Sequence, residues 1–167
     1  MQHEIPDLSP SARRVIVGVN DAAASTVVAD KQDLPRTRLP NGILLQELWQ
    51  QRHIPAGPND RPEPEWTLGP AAPTEGAVVR ILTVPAAGDA LVEPDLHTDR
   101  SLHVITMLGG ELTFMLEDGE VTLGAGDSIV LRGSMHDLRN VQPRPATFVY
   151  TSFPLTESVA QSMTEVF

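Results

Sequence analysis

The chain contains no cysteine. That single absence excludes disulfides, thiolate metal sites and cysteine nucleophiles together. Positive charge is also scarce. Twelve Lys and Arg against 22 Asp and Glu give a formal net charge of −10 over 167 residues. A surface of that sign repels both a phosphate backbone and an anionic lipid surface, so neither nucleic acid nor membrane is an expected partner. No apolar run approaches the roughly 20 residues needed to cross a bilayer. The opening MQHEIPDLSP has neither a basic start nor an apolar stretch, so no signal peptide is expected, and the expected location is cytoplasmic. Ser134 has no G-x-S-x-G elbow around it, and neither a Walker-type phosphate loop nor G-x-G-x-x-G follows an apolar run. Helix-turn-helix patterns and repeats of solenoid length are likewise absent.

What remains is a turn-rich globular pattern. Hydrophobic residues make up 41%, and 15 prolines and 12 glycines are scattered among short apolar runs. Runs at 15–19, 26–28, 43–49, 78–84, 103–108, 112–116, 121–123, 129–131 and 147–153 have strand length and strand composition. Between many of them sit turn residues: Asn41-Gly42, Ala87-Gly88-Asp89, Gly109-Gly110, Asp118-Gly119 and Gly126-Asp127. Such pairs supply the positive-φ positions that tight hairpins demand. Turns recurring about every 8–12 residues from 78 to 153 predict an antiparallel sandwich or barrel. The proline-rich stretch 55–73 reads as a surface arm, since proline removes ladder donors. Segment 156–165 (TESVAQSMTE) reads as a short helix capped by Thr156. Length favours one domain.

Three of the five histidines, His97, His103 and His136, fall within the best β pattern of the chain. His97 and Asp99, two apart, share one face of a strand. A straight strand would carry His103 about 20 Å past His97, too far for a common ion. A reversal through Asp99-Arg100-Ser101 would bring it back. Three imidazoles and a carboxylate converging in a barrel make a nitrogen-and-oxygen site suited to Fe, Mn, Ni or Zn as divalent ions. Each residue has a plainer role beside this one. His97 and His136 also fit a barrel mouth, His103 also fits a hydrogen bond to substrate, and Asp99 also fits a turn in which it serves its own backbone. Asp137 and Asn140 read as strand-end polar residues. Trp49 and Trp66 read as packing, and His53 as a surface or pocket-rim residue.

The spacing resembles the two motifs of the cupin family. The first reads His97-x-Asp99, three residues, His103, six residues, Gly110. The second reads Gly126, four residues, Leu131-x-Gly133, two residues, His136, three residues, Asn140. The chain departs from the family pattern in four ways, one being that four residues and not about five separate Gly126 from position 131. Asp99 stands at the usual second histidine, His103 at the usual glutamate, and Leu131 at the usual proline. The total of three histidines and one carboxylate is unchanged.

The resemblance implies an all-β cupin jelly-roll β-barrel with N-terminal extension strands and a short C-terminal helix. Its parts would be N-terminal strands and arm (1–75), a barrel (76–154) and a helical tail (155–167). It implies a divalent metal held by His97, Asp99, His103 and His136, and a homodimer. The functional expectation is a metal-dependent enzyme acting on a small organic substrate, carboxylates included. Arg132, Met135 and Met107 would contact that substrate. The alternative is a non-catalytic barrel that binds or senses a small molecule. An altered ligand set favours the latter.

Overall fold

The computed structural model describes residues 12–57, 73–88 and 95–156. Eleven strands and no helix occur among them: β1 Arg14–Val19, β2 Ser25–Lys31, β3 Arg36–Arg38, β4 Leu44–Gln51, β5 Ala77–Val84, β6 Ser101–Gly109, β7 Glu111–Leu116, β8 Gly119–Gly124, β9 Ser128–Arg132, β10 Asp137–Arg139 and β11 Ala146–Pro154. The helix expected at 156–165 falls almost wholly outside the described residues, as does most of the proline-rich arm. No helix among the described residues is long and apolar enough to cross a membrane.

All strand pairs are antiparallel. A six-stranded sheet runs β3-β4-β5-β11-β6-β9, a three-stranded sheet β10-β7-β8, and β1-β2 forms a separate ribbon. The core lies between the two larger sheets. Ile43, Val84, Ile105, Met107, Leu112, Phe114, Leu123, Leu131, Ala146 and Phe148 make one buried cluster. This is the barrel architecture expected from the turn spacing, and its apolar area is the main stabilising term.

Period-2 alternation decides which side chains enter the barrel. On β6, Ser101, His103, Ile105 and Met107 are buried, while Leu108 is exposed. Strand pairing then stacks the inward residues in rungs. His103 pairs with Ser152, Ile105 with Tyr150, and Met107 with Phe148. On the other side of β11, Tyr150 pairs with Arg80 and Phe148 with Leu82. Those two in turn meet Glu47 and Leu45 on β4. The barrel interior is therefore polar at the His103 end and apolar at the Phe148 end.

Two glycines are required by their surroundings. Gly110 has φ +75, and a Cβ there would lie 2.5 Å from the Pro145 carbonyl oxygen. Gly133 has φ +69, and a Cβ would meet Leu155 at 3.0 Å and the Asp99 carbonyl at 3.3 Å. Side chains rarely adopt this backbone region, so the motif glycine at 133 lets the chain pass closely behind Asp99.

Candidate metal centre

His97 reaches the site through a single antiparallel bridge to His136. His97 N–H donates to the His136 carbonyl at 3.0 Å, and His136 N–H donates back at 2.8 Å. The bridge places the two rings with centroids 4.8 Å apart. Both rings are oriented by the same local device. Nδ1 of His97 bonds the Asp95 carbonyl at 2.7 Å, and Nδ1 of His136 bonds the Ser134 carbonyl at 2.8 Å. A carbonyl can only accept, so each Nδ1 carries the proton, and in the neutral ring Nε2 holds the lone pair. This is the tautomer that ligates metal through Nε2, with the other nitrogen fixed by a backbone acceptor.

The approach to His97 is secured from β10. The buried Asp137 accepts the Asp95 N–H through Oδ2 at 3.3 Å and the Leu138 N–H through Oδ1 at 2.7 Å. Thr98 Oγ1 donates to the Gly133 carbonyl at 2.7 Å. Asn140 is spent on backbone as well, donating to Pro85 and Arg144 carbonyls and accepting from Gln142 N–H. It is a strand-end residue, as its sequence position suggests.

The chain does not reverse between Asp99 and Ser101: His97 pairs antiparallel with His136 and Leu102 with Arg132, so it keeps its direction and only bends at Arg100, where Asp99 performs two tasks. Its Oδ1 accepts the Ser101 N–H at 3.1 Å, which serves the bend. Its two oxygens also lie 2.9 and 2.8 Å from His103 Nε2. His103 lies beside His136, with ring centroids 5.9 Å apart, and its other face lies on Tyr150 at 4.8 Å. His103 Nδ1 is buried with no hydrogen-bond partner.

Burial pushes the His103 imidazole below its ordinary range. Asp99 opposes that shift, and the neighbouring His136 and His97 reinforce it. The unfolded chain therefore binds this proton at pH values where the folded chain does not, so stability rises with pH through that window. The contribution is present above the unfolded value near 6.5 and is lost as pH falls toward the lower folded value. The metal-free protein is expected to lose thermal stability as pH falls below about 6.5. His103→Gln should show a shallower slope, and equal slopes in a thermal melt series would contradict the assignment. Tyr150 is pushed upward by burial, so its phenol stays protonated and remains a donor at neutral pH.

These side chains share a cavity of about 130 Å³. His97, Asp99, His103, His136, Arg80 and Tyr150 line one part, and Leu39, Leu45, Leu82, Ile105, Leu138 and Phe148 the other. A second cavity of about 460 Å³ meets it at His97 and Leu138. His97 is exposed at this junction, whereas His103 and His136 are buried.

The four ligand candidates read from sequence are thus brought together. The three substrate candidates, Arg132, Met107 and Met135, do not line the cavity with them. Arg132 follows the buried Leu131 on β9 and so points outward. Met107 lies in the packed core at 2% exposure. Met135 lines neither cavity. Arg80 and Tyr150 line the cavity with the histidines instead, and Glu47 stands behind Arg80. Arg80 Nε and Nη2 bond Glu47 Oε1 at 2.9 and 2.8 Å, with both side chains about 95% buried. A single acidic residue in LLQELWQQ and a single basic one in AVVRILTV, the only charges on these two strands, were the available signal for this pair.

The donor set fits a divalent ion in kind. Two imidazoles bound through Nε2 at about 2.1 Å to one ion hold their ring centres roughly 4.5–5.5 Å apart. The 4.8 Å pair meets that range and the 5.9 Å pair lies just outside it. Among the described residues no three such donors are already converged on one point, and the His103–Asp99 hydrogen bond gives the physical reason.

No family profile matches the chain, and no curated protein matches it. Solved structures do. An RmlC-like cupin from Shewanella frigidimarina is 15% identical over 74% of this chain and 86% of its own, with TM-score 0.50. The Cnp3 cupin domain of Schizosaccharomyces pombe is 10% identical over 89% and 92%, with TM-score 0.54. A predicted oxalate decarboxylase from Thermotoga maritima is 15% identical over 74% and 95%, with TM-score 0.52. Likeness at these identities carries architecture and not chemistry. With the motif spacing and the two-sheet barrel, it establishes that this chain has the cupin fold.

Proposed function

We propose that the chain is a divalent-metal-dependent enzyme whose small organic substrate binds inside the barrel. The observation that carries this reading is the matched pair of histidines. Across one backbone bridge, His97 and His136 each tie Nδ1 to the carbonyl two residues before them and keep Nε2 for the cavity. Nothing in strand pairing requires both rings to be fixed in that tautomer. A metal site does.

His97 and His136 would hold the ion through Nε2, with His103 and Asp99 completing the set once the bond between them opens. A bound divalent ion supplies Lewis-acid or oxygen-activating chemistry. The remaining tasks belong to the protein. Asp99 holds the Nε2 proton of neutral His103, and for His103 to serve an ion through Nε2 that proton would have to sit on the buried, unpartnered Nδ1 instead. Tyr150 presents a protonated phenol beside His103. The leucines and Phe148 exclude water, which strengthens every polar contact at the histidine end.

The His103–Asp99 bond favours a second reading, a metal-free barrel that binds a small molecule without turning it over. Reconstitution under anaerobic conditions with Fe, Mn, Ni and Zn, followed by elemental analysis, separates the two. The enzyme reading expects close to one ion per chain for at least one metal. Ligand binding with no ion retained would support the binding module and overturn the enzyme.

A further inference from the structure

We propose that Ser101 and Ser152 are positioning residues of the metal centre and act through His103. Their hydroxyls would hold the Nδ1 proton of His103 when Nε2 turns from Asp99 to the ion. This inference rests on the metal-site reading above and names what lets its third histidine join.

Three observations carry it. The first is a cluster of orphaned atoms. His103 Nδ1, Ser101 Oγ and Ser152 Oγ are all buried, and none has a hydrogen-bond partner. Register places them together. Ser152 pairs with His103 across β11 and β6, and paired side chains on one face hold their Cβ atoms about 4.5–5.5 Å apart. Ser101 stands two residues before His103 on β6 and shares its inward face. The Tyr150 phenol approaches Ser152 as well and is eased downward by it, but the approach falls short of a hydrogen bond. Neither serine lines either cavity, so a ligand in the barrel does not account for them. Polar groups left unpaired in a native interior are costly and few. The hydroxyls reach Nδ1 directly or across one buried water, whose usual three hydrogen bonds match the three atoms.

The second is a device that His103 lacks. His97 and His136 each tie Nδ1 to the carbonyl two residues before. They meet at an isolated bridge, whereas His103 is inside β6 and paired on both sides, with Ser152 and Leu131. Within a strand the carbonyls point sideways into the ladder and side chains stand perpendicular to it. A hydroxyl on the inward face is the acceptor within reach.

The third is the two-sidedness of a hydroxyl. While Asp99 accepts from Nε2, neutral His103 keeps its lone pair on Nδ1 and needs a donor there. With an ion on Nε2, the proton sits on Nδ1 and needs an acceptor. A carbonyl serves only the second state. A serine hydroxyl serves both by rotating. In the exchange Nε2 gives one proton to solvent and Nδ1 gains one, so the ring stays neutral. Two histidines are thus locked in one tautomer, and the third changes between two.

The test is nitrogen-15 NMR of the histidine side chains at about pH 7.5, where free imidazoles are neutral. Wild type, both single variants and the double variant Ser101→Ala/Ser152→Ala are compared, metal-free and zinc-loaded, with zinc affinity measured by calorimetry. In wild type, His103 should pass from protonated Nε2 to protonated Nδ1 on loading, while His97 and His136 stay protonated at Nδ1. The double variant should bind zinc about 10–100-fold more weakly, with His97 and His136 unchanged in tautomer. Zinc bound with His103 still protonated at Nε2 overturns this proposal and leaves the metal reading standing on His97 and His136. A double variant with wild-type affinity overturns the role of the serines and also leaves the metal reading standing. If zinc is not retained, the proposal fails, and if no other ion is retained either, the metal reading fails with it. Should the double variant not fold, the single variants decide, and wild-type affinity in both overturns the proposal.

Discussion

Arg80→Met is expected to lower folding stability by about 3–5 kcal/mol, because it strands the Glu47 carboxylate in the barrel without its counter-ion. Both side chains are about 95% buried, and Glu47 Oε2 already lacks a hydrogen-bond partner. The cost of the substitution is the desolvation of that carboxylate and not the intrinsic value of the pair. The double variant Glu47→Leu/Arg80→Met, which removes both charges and keeps the volume, should therefore recover most of the loss. In urea melts the single variant should show a lower midpoint, and its thermal midpoint should fall on the order of 10 °C. A single variant within about 1 kcal/mol of wild type, or a double variant as unstable as the single, would contradict the burial argument. The pair costs the fold something that apolar residues would not, and it sits one rung from the histidines.

His136→Ala is the second large effect, read in metal affinity. Removing an outer partner of a metal ligand commonly costs 10–100-fold, and removing a ligand should exceed that, so at least about a 100-fold loss is expected. His136 is 6% exposed and its backbone bridge to His97 does not involve the side chain. The substitution therefore deletes a ring and leaves the strand pairing in place. Arg132→Ala is the matched control. Arg132 lies on the outer face of β9, so its loss should leave affinity within about twofold. Calorimetric titration of zinc into both variants checks this. Unchanged affinity in His136→Ala would remove His136 from the centre.

Much of the fold is legible in the chain itself, for identifiable reasons. Strands of five or more residues announce themselves by period 2 or by apolar runs, and Asn-Gly, Gly-Gly and Asp-Gly mark where they turn. Nine of the eleven strands have such a run. The two without one, β3 and β10, are three residues each and carry Arg-Thr-Arg and Asp-Leu-Arg, too short and too polar for any period to show.

The site divides in the same way. The four ligand candidates lie within 40 residues of chain at recognisable spacing, so local order nearly suffices to assemble them. Arg80, Glu47 and Tyr150 come from three strands widely separated in sequence, and only the register of β4 against β5 and β5 against β11 sets them side by side. Arg132 attracts attention in the sequence because it neighbours the second motif. Counting from the inward Leu131 shows that the pleat sends it outward, and that parity is set by the β6–β9 register. Asp99 needs the structure for a different reason. Its position in the chain fits either a turn residue or a partner in the histidine cluster, and one carboxylate does both.

If His97, His103 and His136 share one ion, X-ray absorption on the zinc-loaded protein shows it most directly. The extended fine structure should show nitrogen and oxygen neighbours at about 2.0–2.2 Å, with the multiple scattering of three imidazole rings, falling to two in His103→Ala. A shell of oxygen neighbours without imidazole scattering, or a count unchanged in that variant, would contradict it.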